Sequence, residues 1–67
     1  MTNVKKLRGL IEASGLKRCY IAERLGLTVA GFRKKANGDN EFVASEIKEL
    51  ADIFSLTSDQ VQDIFLS

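Results

Sequence analysis

The chain has no proline, histidine or tryptophan, and only one cysteine, one tyrosine and one methionine among its 67 residues. Without histidine and with a single thiol, neither a structural zinc site nor a histidine proton relay has the side chains it needs. One cysteine cannot close an internal disulfide, which suits a reducing cytoplasm, and Cys19 reads as an inert thiol. No apolar run approaches the roughly 20 residues of a membrane span, and the start, MTNVKKLRGL, lacks the apolar stretch of a secretory signal. A cytoplasmic protein with no membrane partner is expected. There is no glycine-rich phosphate loop ending in Lys and Ser/Thr, and so short a chain leaves no room for a substrate cleft. Paired carboxylates would remain as catalysts, but Glu46, Glu49 and Asp52 fall on what reads as an exposed acidic helix. The sequence therefore predicts a non-enzyme with no cofactor, metal or small-molecule ligand.

Charge is present but unevenly placed. The net charge is +1, an average over two halves of opposite sign. Residues 1–35 carry nine Lys/Arg against Glu12 and Glu23, a balance of +7. Residues 36–67 carry Lys48 against seven Asp/Glu, a balance of −6. A basic half is the electrostatic footprint expected on phosphate, with the acidic half facing away. The plainer alternative is two solvated helix faces that attract each other within the fold.

The apolar residues recur at helical spacing, and no stretch alternates as a half-buried strand does. Val4, Leu7, Leu10 and Ile11 predict a first helix over 4–14, with Thr2 or Asn3 as its cap and Gly15 at its end. Four later pairs, Leu16 with Ile21, Leu27 with Phe32, Phe42 with Ile47 and Leu56 with Val61, have the spacing of a hydrophobic staple around a helix start. They predict helices over 18–25, 29–37, 44–54 and 58–65. Thr57 with Gln60 adds a capping box to the last. Ile47, Leu50, Ala51 and Phe54 form a stripe that must face a core. The expected fold is a single all-α domain over residues 1–67, a compact five-helix bundle. Lys17 and Val43 stand at cap positions where neither side chain accepts a hydrogen bond, so fraying is expected there.

Residues 18–37, RCYIAERLGLTVAGFRKKAN, have the pattern of a helix-turn-helix. Ile21, Ala22 and Leu25 give the first helix an apolar face, and small Ala22 leaves room for a close crossing. Gly26 follows where a left-handed backbone favours glycine, Thr28 is a good cap, and Phe32 anchors the second helix. The spacing of Ala22, Gly26, Leu27, Thr28, Phe32 and Asn37-Gly38 resembles the Cro/repressor-type helix-turn-helix family, the lambda-repressor-like DNA-binding domains of phages and their bacterial relatives. The flanks KKLRGLIEASGL and EFVASEIKELADIFSLTSDQVQDIFLS are similar to those of short phage-encoded members, so the resemblance covers nearly the whole chain.

The resemblance implies that the second motif helix enters the major groove of double-stranded DNA. Carried over by position, it turns Thr28, Val29, Ala30, Arg33 and Lys34 toward DNA and Phe32 inward. Arg18 takes the first motif position, a phosphate contact in the family, and Asn37 lies near phosphate. Lys35 falls at the edge of the same surface, and Lys17, a cation at the unfavourable end of a helix dipole, is assigned to the phosphate backbone. The chain departs from the family at the contact positions themselves. Val29, Ala30 and Gly31 stand where relatives commonly place Gln, Ser or Arg, and their side chains cannot hydrogen-bond a base. Gly31 either admits close backbone approach to DNA or marks a surface that reads sequence poorly. The implied function is a transcriptional regulator, repressor-like, binding as a weak homodimer on a two-fold operator. Ile64 and Val61 can be core, but Ile64, Phe65 and Leu66 are three adjacent apolar residues that cannot all face one side of a helix, so one or more of them is the expected dimer contact. The competing expectation is a protein-interaction module on the same helices, which the apolar contact positions and the acidic half would serve.

Overall fold

The computed structural model describes residues 1–66, arranged as α1 (Val4–Ser14), α2 (Arg18–Arg24), α3 (Val29–Ala36), α4 (Ala44–Phe54) and α5 (Ser58–Phe65). The last four helices begin where the staple spacing places them, and α1 where its apolar spacing does. Asn3 rather than Thr2 caps α1, its Oδ1 accepting the Lys6 N–H at 3.1 Å. Thr28 Oγ1 accepts the Gly31 N–H at 3.0 Å at the start of α3. At α5 the capping box closes in both directions, since Thr57 Oγ1 accepts the Gln60 N–H at 3.2 Å and Gln60 Oε1 accepts the Thr57 N–H at 2.8 Å.

Two helices end one residue earlier than the apolar pattern suggests. Leu25 and Asn37 are the C-caps of α2 and α3, and the turn that follows each removes them from the helix proper. After α2, Leu27 N–H donates to the Ala22 carbonyl at 2.9 Å and Gly26 N–H to Glu23 at 3.0 Å, the two bonds of a Schellman turn. Its left-handed residue is Gly26, at φ 72°. The end of α3 repeats the arrangement through Asp39 N–H to the Lys34 carbonyl, over Gly38.

The core is one cluster of Leu7, Ile11, Ile21, Ala22, Phe32, Phe42, Leu50, Ile64 and Phe65, drawn from all five helices and the segment before α4. Phe42 is its keystone. Its ring stands 6.2 Å from Phe32 and 5.7 Å from Phe65, the second contact edge-on, so one loop residue joins α3 to α5. Such aromatic pairs contribute about 0.5–1.5 kcal/mol each beyond the area they bury. The segment before α1 lies over the end of α5, where Asn3 N–H donates to the Ile64 carbonyl. That bond satisfies a carbonyl which a helix end leaves without a partner.

Ser55 closes α4 in the left-handed region, at φ 54° and ψ 48°, the one non-glycine residue among the described ones with positive φ. A side chain there costs about 1 kcal/mol that glycine does not. Ser55→Gly is therefore expected to raise the melting midpoint by roughly 4 °C. A variant that melts at or below the wild-type temperature would show that the Ser55 side chain contributes contacts exceeding this strain.

Candidate nucleic-acid interface

An eight-residue helix such as α3 is too short to persist by itself, so what it buries decides what it shows. With about 100° between successive residues, Val29, Ala30, Arg33, Lys34 and Asn37 fall within an arc of about 140°. All five are exposed. The opposite arc holds Gly31, Phe32, Lys35 and Ala36, of which Phe32 is fully buried and the others half-buried. The exposed stripe runs from an apolar tip, with Val29 40% exposed, to two cations one turn further on. Thr28 at its head is exposed but engaged as the cap, and a Cβ on Gly31 would stand 3.1 Å from the cap oxygen. A side chain at position 31 would need the cap oxygen to give by a few tenths of an ångström.

Lys17 and Arg18, at the start of α2, are exposed as well. Lys17 makes no side-chain cap bond, so this helix start has its N–H groups and a cation side by side. Cys19 is also exposed.

Lys35 does not belong with these residues, contrary to the sequence expectation. Its Nζ donates to both carboxylate oxygens of Glu46, at 2.6 and 2.9 Å, and its side chain is only 17% exposed. The reason lies in its position on α3, three residues after Phe32 and on the same inward arc. Glu46 is likewise not on an exposed helix face: it is 7% exposed, and its Oε1 also accepts the Val43 N–H at 2.9 Å. The carboxylate supplies at α4 half of what a capping side chain would, so the start of α4 is held although Val43 cannot cap it. A Glu three residues after an apolar N-cap was the sequence signal for this contact.

The other two ion pairs have the same direction. Lys6 pairs with Asp63, and Arg24 with Glu49 while also donating to the Tyr20 hydroxyl at 2.8 Å. The Arg24 guanidinium is held more firmly protonated than an ordinary arginine by the Tyr20 hydroxyl and by Glu49. All three pairs join the basic half to the acidic half, so mutual attraction accounts for three of the nine N-terminal cations. Lys5, Arg8, Lys17, Arg18, Arg33 and Lys34 stand outside these pairs among the described residues. Four of those six, Lys17, Arg18, Arg33 and Lys34, are cations that the sequence reading turns toward DNA.

No protein-family model, curated protein or solved structure matches the chain. Its site is therefore argued from its own geometry.

Burial narrows the expected dimer contact to one of its three residues. Ile64 and Phe65 belong to the core, Phe65 edge-on to Phe42 and Ile64 beneath the segment that carries Asn3. Two adjacent residues of α5 are buried together because that helix end is covered on two sides. Leu66 alone of the three is exposed, at 63%. Among the described residues no helix is long and apolar enough to cross a membrane.

Lys17→Ser separates the local cost of that cation from its use. A serine at this cap position is expected to add about 1 kcal/mol to unfolding stability in a denaturant melt. The same change is expected to weaken duplex binding and to lower the slope of log affinity against log salt by about 1. If stability rises while binding is untouched, Lys17 is not a phosphate contact.

Proposed function

We propose that the chain is a sequence-specific DNA-binding regulator of the Cro/repressor type, with α2 and α3 as a helix-turn-helix and α3 as the helix that enters the major groove. The observation that carries this reading is the exposed stripe of α3. It unites Val29, Ala30, Arg33, Lys34 and Asn37 on the side opposite the buried Phe32. Arg33 and Lys34, outside the ion pairs, are available to phosphate or to a guanine edge, and Lys17 and Arg18 supply further phosphate contacts from the start of α2. A weak homodimer on a two-fold operator belongs to the same reading, because two copies double the contacts that one short helix makes. Leu66 remains as its exposed apolar contact.

The pair Arg33→Ala and Lys34→Ala is expected to weaken duplex binding while leaving helicity and melting unchanged, since both side chains are solvent-facing. Each lost phosphate contact lowers the salt slope by about 1, whereas a lost base contact changes sequence preference instead. Binding that survives the double change intact, or that ignores salt, would move the assignment to a protein-docking surface centred on Val29.

Sequence readout is tested from the DNA side. Val29 and Ala30 present methyl groups only, so direct readout by the tip of α3 is apolar contact with thymine C5-methyls. After enrichment of a preferred duplex from random sequence, replacing its half-site thymines with deoxyuracil removes those methyls and nothing else. The expected result is a loss of affinity of roughly 1 kcal/mol over the half-site, the lower end of what a good base contact gives. Unchanged affinity would exclude Val29 and Ala30 from base reading.

A further inference from the structure

The least exposed ion pair described, Lys35–Glu46, lies behind α3, not on the face proposed to meet DNA. We infer that the Lys35–Glu46 pair is a positioning element for that face: through it the first turn of α4 sets the rotation of α3 about its axis. This rests on the DNA-binding reading and adds to it a residue pair that touches no DNA.

The apolar attachments of α3 lie close together on its surface. Phe32 is its only fully buried side chain, and Ala36, one turn on, packs half-buried against the same cluster, so both apolar contacts lie on one flank of the inward arc and leave the rotation of the helix about them less determined. Lys35, three residues on, sits about 60° around the helix from Phe32, and the two flank the direction opposite the exposed stripe. Both oxygens of the Glu46 carboxylate meet the Lys35 ammonium, and one of them also receives the Val43 N–H. The carboxylate is thereby fixed to the backbone of the turn that opens α4 before it grips α3. Between the two attachments runs the segment 37–43, which contains Phe42, so the ion pair closes a short ring over the core. A rotation of α3 that broke the pair would carry Val29, Ala30, Arg33 and Lys34 around together. Phosphate contacts made by long flexible cations tolerate such a shift, but base contacts require alignment.

The pair is also well suited to substitution without collapse. Replacing both members of a buried ion pair by groups of similar volume is commonly neutral for stability, whereas removing one leaves an uncompensated charge. Lys35→Met together with Glu46→Gln removes both charges and keeps an amide oxygen for the Val43 N–H. The double variant should retain wild-type helicity. Its affinity for the enriched duplex should fall about ten-fold relative to its affinity for random duplex, comparable to the loss of one aligned base contact. The slope of log affinity against log salt should match wild type, because Lys35 makes no phosphate contact. Lys35→Arg, which preserves the pair, should preserve the ratio of specific to random binding. If the double variant does not fold, Lys35→Leu with Glu46→Gln, which also removes both charges, makes the same comparison.

An unchanged ratio in a folded variant overturns the inference and leaves the DNA reading standing. So does a salt slope reduced by about 1, which would make Lys35 a phosphate contact after all. If the wild-type chain shows no salt-dependent duplex binding, the DNA reading fails and the positioning role fails with it.

Discussion

Burial of Phe32 is the constraint on which the rest of the molecule depends. An eight-residue helix has no independent stability, and this side chain, with no exposed surface, holds α3 against the core. Full burial of a phenylalanine is worth about 1.5–3 kcal/mol, a large share of what a domain of this size has in hand. The contact is continued by Phe42 and then Phe65, so the helix that carries the exposed cations and the helix at the far end of the chain share one aromatic line. What α3 presents to solvent is fixed by what it hides.

The charge division of the chain is only partly used up within the fold. Lys6, Arg24 and Lys35 each reach an acid of the second half, and the pairs differ in depth. Lys6 and Asp63 are about half exposed, so water screens that contact and it contributes little. Lys35 and Glu46 are shielded, and there the ionic contact is coupled to the start of a helix. The cations outside these pairs, Lys17, Arg18, Arg33 and Lys34 among them, are exposed to solvent. Net charge, close to zero, conceals this because it adds the paired and the unpaired together.

Helix placement was legible in the sequence because staples and caps are local. Leu27, Thr28 and Phe32 lie within six residues of one another, and their spacing alone places the start of α3. The division of α3 into exposed and buried arcs was legible for the same reason: period and polarity agree. What lay outside local pattern was missed. Glu46 looked like one carboxylate among several, because nothing in its neighbourhood announces that Lys35, eleven residues earlier, arrives above it. Phe65, beside an Ile64 that could be core, looked like surplus apolar surface, because the segment that covers the end of α5 comes from the opposite end of the sequence. Both errors are failures of long-range contact rather than of propensity.

Local rules are broken at four places, and the way each is resolved bears on the proposed function. Val43 cannot cap α4, and Glu46 makes good the deficit from within the fold. Ser55 takes a left-handed turn that suits glycine, at a turn between α4 and α5 remote in sequence from the candidate interface, so a broken rule is not by itself a functional signal. Gly31 weakens α3, but the Thr28 cap oxygen stands where its Cβ would crowd it. Lys17 differs from all three. It places a cation at the positive end of a helix dipole, forgoes a cap bond and gains no ion pair among the described residues. An exposed charge that stabilises nothing within the chain is most simply understood as directed outward, at an anion that the chain itself does not contain. Its neighbour in sequence, Arg18, is exposed and outside the ion pairs too, and these two cations precede α3 by a single short helix. Phosphate on either side of a groove entered by α3 would supply what both lack.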